Sequence, residues 1–410
     1  MQEQEHGTPS PAGRLALAFL YALLAACGGA TAPGPEAQIN AMVRSEWDAY
    51  KAANGVSAGG LAVHLVTPRG TYSGAADLGP VDVPNVHFRA ASNTKTFTSA
   101  AIMLLYQQGM LNIDDTITSV IPRKAIPYVP DTPQYAIPHK SSITIRQLLT
   151  HTAGVFDNTN NAVPATCPAP YANQSYLDYV MDVLGQKDHT FTFDEMVGVN
   201  ATCNVEKAAP GTEYSYSNIG YDLLGKIIER VSGLSYADYV AQKLLAPNQL
   251  TQTTMPYLGT DQLVPAPNLV GYDMGDGVTR SFTQDNMSGN VAEGNVISTP
   301  AELARWVRLL ISGNAGIGPT YVSMMKVCGF PASASCYGMG IFNAPGLGWG
   351  HNGAHRGYIS LMLYNPDDDV AVVVFSTMLD EDHISSDLGM LQRVASKARQ
   401  LAGYGGSPGM

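Results

Sequence analysis

The sequence predicts an α+β fold: one antiparallel sheet built from both ends of the chain and flanked by helices, with a mostly helical lobe inserted. Three observations carry this expectation. β-rich runs stand near the start, at 60–67 and 72–76, and again near the end, at 358–364 and 370–375. From the second run to about residue 310 the chain reads mostly as helices and loops. Strands that bracket a helical middle from both termini pack most simply as a single sheet.

In chain order, residues 37–54 read as a surface helix, because Ile39, Met42, Val43, Trp47 and Tyr50 share one face. The first two strands meet at the turn Pro68-Arg69-Gly70. Ser92-Asn93-Thr94-Lys95 then opens an apolar stretch, Phe97 to Leu105, that closes at Gly109. Phe97, Ala100, Ala101, Leu104 and Gln108 follow helical spacing, which puts Ser92 and Lys95 one turn apart at a helix start. Residues 157–206 form an irregular excursion, with Tyr171, Tyr176 and Tyr179 free either to touch a ligand or to pack locally. Thr299-Pro300-Ala301-Glu302 reads as a capping box with Pro at the first helical position, opening a helix to Ile311. The late strands are joined by the turn Asn365 to Asp369, and a last helix runs from about 385 to 401.

The chain has 410 residues, 45% apolar and 14% charged, enough for one large core. Its net charge of −11 argues against nucleic acid as a partner, since phosphate binding needs a basic surface. Arg14 precedes the apolar run Leu15 to Leu24, and Leu24-Ala25-Ala26-Cys27 follows. Such a short apolar core followed by small residues reads as a secretory signal. Ending on cysteine, it resembles the lipobox of bacterial lipoproteins. The expected organisation is a signal at 1–27 with Cys27 lipidated, a tether at 28–36, one domain at 37–402 and a tail at 403–410. The expected location is the periplasm or cell envelope, on the membrane through a lipid anchor.

Four further cysteines, Cys167, Cys203, Cys328 and Cys336, fit an exported protein as disulfide candidates. Sequence alone does not choose among their three pairings. The local one, 167 with 203 and 328 with 336, needs the least rearrangement of the chain. Its two closures would stabilise by about 4 and about 2.5 kcal/mol in the loop-entropy model. The spacings match no common zinc pattern.

Ser92 and Lys95 are a nucleophile and a base at contact spacing: a serine hydroxyl is inert unless a base lies within hydrogen-bond reach. Tyr216-Ser217-Asn218 stands just before the apolar helix that ends at Ser232-Gly233, and His351-Asn352-Gly353 in a Gly-rich approach to a strand. Taken in order, these three motifs resemble those of the serine penicillin-recognising enzymes, especially class C β-lactamases and the D-alanyl-D-alanine carboxypeptidases and esterases that share their fold. The resemblance implies a β-lactamase/DD-peptidase-like fold with the site between its two lobes, and neither metal nor organic cofactor.

It also implies roles. Ser92 is the acylated nucleophile, Lys95 its base or the stabiliser of a Tyr216 phenolate, and Tyr216 the proton shuttle. Asn218 orients both Lys95 and the substrate amide. The N–H groups of Ser92 and Ala354 form the oxyanion hole, and Gly353 keeps the strand edge open for substrate. Where many relatives have lysine, this chain has His351, which with Asn352 makes a weaker, pH-dependent anion site; His355 is the second candidate for that task. His151, in the run Leu148 to Gly154, is expected to be a buried turn residue and His64 a satisfied core residue; Glu293 is expected to face solvent, its alternative being a carboxylate near the cleft that discourages anionic substrates. The expected activity is acyl transfer in the manner of a D-alanyl-D-alanine carboxypeptidase or a related D-amino-acid peptidase or amidase. A β-lactamase or esterase is the alternative, and a penicillin-binding sensor without turnover is the alternative from another class. The expected ligand is a small molecule or peptide, such as a peptidoglycan stem peptide or a β-lactam.

Overall fold

A computed structural model gives the structure, describing residues 33–330 and 336–405. Six strands form one sheet in the order β2-β1-β10-β9-β8-β7. They are β1 (Leu61–Thr67), β2 (Gly70–Ala76), β7 (Phe342–Ala344), β8 (Gly348–His355), β9 (Tyr358–Asn365) and β10 (Val370–Ser376). Every pairing in it is antiparallel, and β1 lies directly on β10, with Leu61 opposite Ser376. The sheet is therefore built from both ends of the chain, as the sequence predicts.

Alternation sorts the strands onto two cores. Leu61, Val63 and Leu65, with Leu361, Leu363, Val372 and Val374, face α1 (Pro35–Asn54) and α7 (Ile384–Leu401). Helix α1 begins at Pro35, so the last two residues of the segment expected as a tether, Pro35 and Glu36, already belong to the helix. Ala62, Met362, Val373 and Phe375 face the larger core, which holds α2 (Thr94–Gln107), α5 (Asn218–Ser232) and α6 (Pro300–Ile311). Strands β9 and β10 are covered on both faces and read as near-continuous apolar runs for that reason.

Helix α2 is buried from Thr94 through Leu105, which explains why its second half, Ala100 to Leu105, is apolar on every side. Phe97 stacks on Trp306 of α6 at 4.1 Å, and the Trp306 indole N–H donates to Thr96 Oγ1 at 2.8 Å. The expected capping box at α6 forms only in part. Thr299 accepts from Glu302 N, but the Glu302 carboxylate accepts instead from Gln252 N and Thr253 Oγ1, tying down a neighbouring loop.

The inserted lobe is less helical than expected. Besides α3 (Ile145–Leu149), α4 (Phe193–Cys203) and α5, it contributes a hairpin, β4 (Tyr272–Gly275) with β5 (Val278–Ser281). That hairpin pairs in parallel with β11 (Met378–Asp380). A two-stranded ladder joins β3 (Phe88–Ala91) to β6 (Val296–Ser298). These strands have only three or four residues, too short for an alternating pattern to register.

The local disulfide pairing is the one formed: Cys167 with Cys203 and Cys328 with Cys336, at Cα separations of 4.6 and 5.1 Å. Among the described residues no cluster of His, Cys, Asp and Glu is arranged to hold a metal, and no helix is long and apolar enough to cross a membrane. Cys27 and the apolar run before it lie outside the described residues.

Candidate active site

Ser92 sits in the turn between β3 and α2. The preceding residue, Ala91, is held at φ 50°, and the ladder slips register at this point. A non-glycine residue in the left-handed region costs of order 1–3 kcal/mol and persists where surrounding structure over-determines it. Here Thr94 Oγ1 donates to Ala91 O at 2.7 Å and accepts from Val296 N at 2.8 Å, while Asn93 Nδ2 donates to Ala90 O and to Ser360 Oγ. Asn93 and Thr94 thus lock the turn that carries Ser92.

Two groups meet Ser92 Oγ: Lys95 Nζ at 3.1 Å and the Tyr216 hydroxyl, which donates at 2.9 Å. Lys95 is fully buried and donates to Asn218 Oδ1 at 2.7 Å and to the Glu293 carbonyl at 2.8 Å. Its ammonium also lies 4.8 Å from the centre of the Tyr216 ring, a cation–π distance. Burial pushes the Tyr216 phenol well above its ordinary range, the hydrogen bond to Ser92 opposing this only in part. The phenol is a proton donor in the resting state, and a phenolate base is not.

Asn218 opens α5, after Ser217 caps the helix by accepting from Gly220 N. Its amide N–H donates to Thr159 Oγ1 at 2.8 Å, and the Thr159 hydroxyl donates to Asp157 Oδ1 at 2.7 Å. The Asn218 side chain is therefore engaged at both ends within the protein. Its oxygen holds Lys95, and the second N–H of its amide is not used by the Thr159 bond; Asn218 itself lines the cleft.

The third motif departs most from expectation. His351 is buried on β8, and its Nδ1 lies 2.5 Å from the Asn352 carbonyl, so that nitrogen carries the proton. Nε2 then accepts from the Tyr337 hydroxyl at 3.0 Å. On the other side Tyr337 accepts from His151 Nε2 at 3.1 Å, and His151 Nδ1 accepts from Ser217 N–H at 3.1 Å. Every donor in this chain meets an acceptor only if both imidazoles are neutral. Burial, with the Lys95 charge behind it, pushes His351 down to about 3 and His151 well below its usual range. The pH-dependent anion site expected of His351 and Asn352 is absent, because the imidazole stays uncharged.

His355, the second candidate, pairs with Asp285 Oδ2 at 2.9 Å. Arg356, in the turn beyond β8, pairs with Asp178 at 3.3 Å. His151 is the buried turn residue expected, at φ 55°, and its ring packs on Tyr216 with centroids 4.2 Å apart. It has no contact with Ser92 and steadies the phenol instead. His64 is likewise a satisfied core residue: Nδ1 lies 2.9 Å from Ser73 Oγ, and burial lowers it to about 4.

Gly353 has a different reason from the one expected. A Cβ there would lie 2.2 Å from Ala90 O and 3.0 Å from Ser92 N. The glycine lets β8 pass against the Ser92 turn itself, and Ala354 follows on the cleft side. Glu293 corrects a second expectation: far from facing solvent, it is 2% exposed, with Oε2 3.3 Å from Lys95 Nζ and Oε1 accepting from Asn290 Nδ2 at 2.6 Å.

The cleft over Ser92 encloses about 490 Å³ and is lined by all three motifs together with Asn160, Tyr214, Tyr337 and Phe342. Among its described lining residues there is no arginine, and no lysine. Tyr171, Tyr176 and Tyr179 do not line it; they pack on one another, and the Tyr176 hydroxyl donates to Glu195 at 2.6 Å. The excursion serves the site through Asp157, Thr159 and Asn160. Sequence reasoning missed these and Tyr337; the Asn-rich stretch that carries the first three was the available signal.

A family model described as Beta-lactamase matches residues 51–395. Among curated proteins the chain is similar to protein flp of Staphylococcus aureus (strain NCTC 8325 / PS 47), 25% identical over 334 residues, which cover 78% of this chain and 60% of that protein. It is also similar to the putative penicillin-binding protein PbpX of Bacillus subtilis (strain 168), at 24% identity over 72% of this chain and 63% of the relative. The match thus spans less than two thirds of these relatives' length. Two solved structures share the fold. The D-stereospecific amidohydrolase from Streptomyces sp. superposes with a TM-score of 0.69 at 24% identity, over 84% of this chain and 94% of that one. The D-amino acid amidase from Ochrobactrum anthropi SV3, complexed with D-phenylalanine, gives 0.68 at 22% identity, over 89% and 99%.

Proposed function

The chain belongs to the beta-lactamase family, and from that premise we propose that it is a serine hydrolase that cleaves amides or esters of D-amino acids lacking a free carboxylate, through an acyl ester on Ser92. One observation carries the substrate assignment: the His351 imidazole is neutral, and no arginine or lysine is found among the described residues lining the cleft. A C-terminal D-alanine, or the carboxylate of a β-lactam, would meet no cation at the third motif to offset the hydration it loses there. An amide or ester would enter at no such cost. The amidase and amidohydrolase of like fold act as supporting context.

In this reading Ser92 Oγ attacks the carbonyl carbon while Lys95 takes the serine proton. The oxyanion forms between the N–H groups of Ser92 and Ala354, and Tyr216 supplies a proton toward the leaving group. Preorganised donors of this kind contribute roughly 2.7–4 kcal/mol each to the transition state. The test compares D-phenylalanine amide with an N-acyl-D-alanyl-D-alanine on the full chain and on Ser92→Ala. Amide hydrolysis that vanishes in Ser92→Ala is expected. Equal or faster release of D-alanine from the dipeptide would sink the substrate assignment. A penicillin adduct that never clears, without amide turnover, would favour the sensor.

The proposal extends to location: an exported protein tethered by lipid on Cys27. Its support is the Leu15 to Cys27 pattern and the two disulfides, which suit an oxidising compartment. The full chain should sediment with membranes, and Cys27→Ser should release it. Retention of the variant on membranes would refute lipidation at that residue.

A further inference from the structure

We propose that Glu293 is a positioning residue that holds the Ser92 proton during acylation, receiving it through Lys95. The inference rests on the acyl-serine reading above and starts from a difficulty in it. Lys95 is buried, ion-paired and already donating to Asn218 Oδ1 and Glu293 O, so an ammonium there has no free capacity to accept a proton from Ser92. A second acceptor must relieve it. Glu293 Oε2 is the carboxylate oxygen in contact with Lys95 Nζ, and the pair forms in a turn whose preceding residue, Ala292, is held at φ 69°. The same turn points the Glu293 carbonyl and carboxylate at one nitrogen, while Asn290 Nδ2 fixes the other carboxylate oxygen.

The step balances. The Ser92 O–H bond breaks as the Oγ–C bond forms, and the carbonyl π pair moves onto the oxyanion. Lys95 passes one proton to Glu293 and takes the serine proton, remaining an ammonium. One negative charge leaves Glu293 as one appears on the oxyanion, so the buried site stays neutral. On collapse the leaving group departs with its electron pair and takes the Tyr216 proton, and the stored proton passes from Glu293 through Lys95 to restore the Tyr216 phenol.

The surroundings favour a carboxyl that accepts a proton readily. Burial raises Glu293 above its ordinary range, Lys95 opposes this, and Asp157 adds to it. The other titratable groups facing it are Tyr216 and Asp222 beside α5, and Tyr236. Burial keeps all three of these protonated, and so none competes for the Lys95 charge.

The test follows kcat/KM for p-nitrophenyl acetate against pH, in wild type and Glu293→Gln, with intact mass confirming acetylation of Ser92. Glu293→Gln should lose about 10²-fold near neutrality, the usual scale of a proton-transfer partner. Its profile should also change shape: wild type falls on the acid side as Glu293 protonates, whereas the variant should lack that limb. A smaller rate with an unchanged profile, or an unchanged rate, overturns the proposal. A second measurement needs no variant. Wild type trapped at Ser92 with benzeneboronic acid becomes a tetrahedral anion and should gain the infrared band of one protonated carboxyl. Absence of the new band overturns the proton path even if Glu293→Gln does not fold. If the ester leaves wild-type Ser92 unmodified, the acyl-serine reading and the proton path fall together; acetylation with an unaltered Glu293→Gln profile removes the proton path alone.

Discussion

Two polar walls meet at Ser92, and both are buried, yet they respond to burial in opposite ways. On the Lys95 wall the charges survive because each finds a partner: the ammonium faces the Glu293 carboxylate and the Asn218 amide oxygen. On the His351 wall no carboxylate bonds to either imidazole, and His151, Tyr337 and His351 form a neutral chain of donors and acceptors. Burial removes charge only where nothing compensates it. One wall keeps a buried ion pair beside Ser92, and the other holds a neutral hydrogen-bonded shape.

The largest effect that would break this comparison is expected at Lys95. Lys95→Met keeps the volume but leaves the Glu293 carboxylate buried without its counter-charge. Breaking such a pair costs roughly 3–5 kcal/mol, and loss of the base should lower kcat/KM by about 10³-fold. The sign of the pH dependence follows from Glu293, whose folded pKa is already raised above its ordinary value. With Lys95 gone the carboxyl folds protonated and unfolds ionised, so the variant loses more stability as pH rises. Lys95→Met with Glu293→Gln should regain the stability and not the activity. Thermal melts at several pH values check both; a double variant no more stable than the single would show that the pair is not where the energy lies.

The two walls were unequally legible in the sequence, for physical reasons. Ser92, Lys95, Tyr216, Asn218 and the 351–353 strand stand in local motifs, and the structure brings them together, all but Lys95 lining one cleft and Lys95 lying directly behind Ser92. The sheet was legible too, because β1, β9 and β10 are long enough for apolar runs and turns to mark them. Partners that depend on tertiary contact were not. Glu293 looks like any loop carboxylate until the turn at Ala292 directs it inward, and Tyr337 gains its place only when β7 and β8 fold beside the helix that carries Lys95. The charge state of His351 was hidden for the same reason: an imidazole's ordinary pKa is a property of water, and its neighbours are set by the fold.

The smaller prediction sharpens the comparison from the neutral side. Tyr337→Phe removes one hydroxyl and leaves His151 Nε2–H without an acceptor and His351 Nε2 without a donor. Unpaired buried groups of this kind cost about 1–3 kcal/mol. Activity should fall only about tenfold, equivalent to 1.4 kcal/mol, since the loss reaches Ser92 through the His151 ring that steadies Tyr216. The pH response is the opposite of that at Lys95. His351 folds with its pKa lowered to about 3 from 6.5, and His64 with its own lowered to about 4, while unfolded histidines protonate near 6.5. Unfolding therefore takes up protons below that pH, and wild-type stability should decline as pH falls from about 6.5 toward 4. Tyr337→Phe should flatten part of the decline, because His351 freed of its bond can tilt, meet water and accept a proton while still folded. Nitrogen NMR of labelled histidine reads the same event directly. A charged His351 in the wild type at pH 6 would erase the difference between the walls and reopen the cleft to carboxylate substrates.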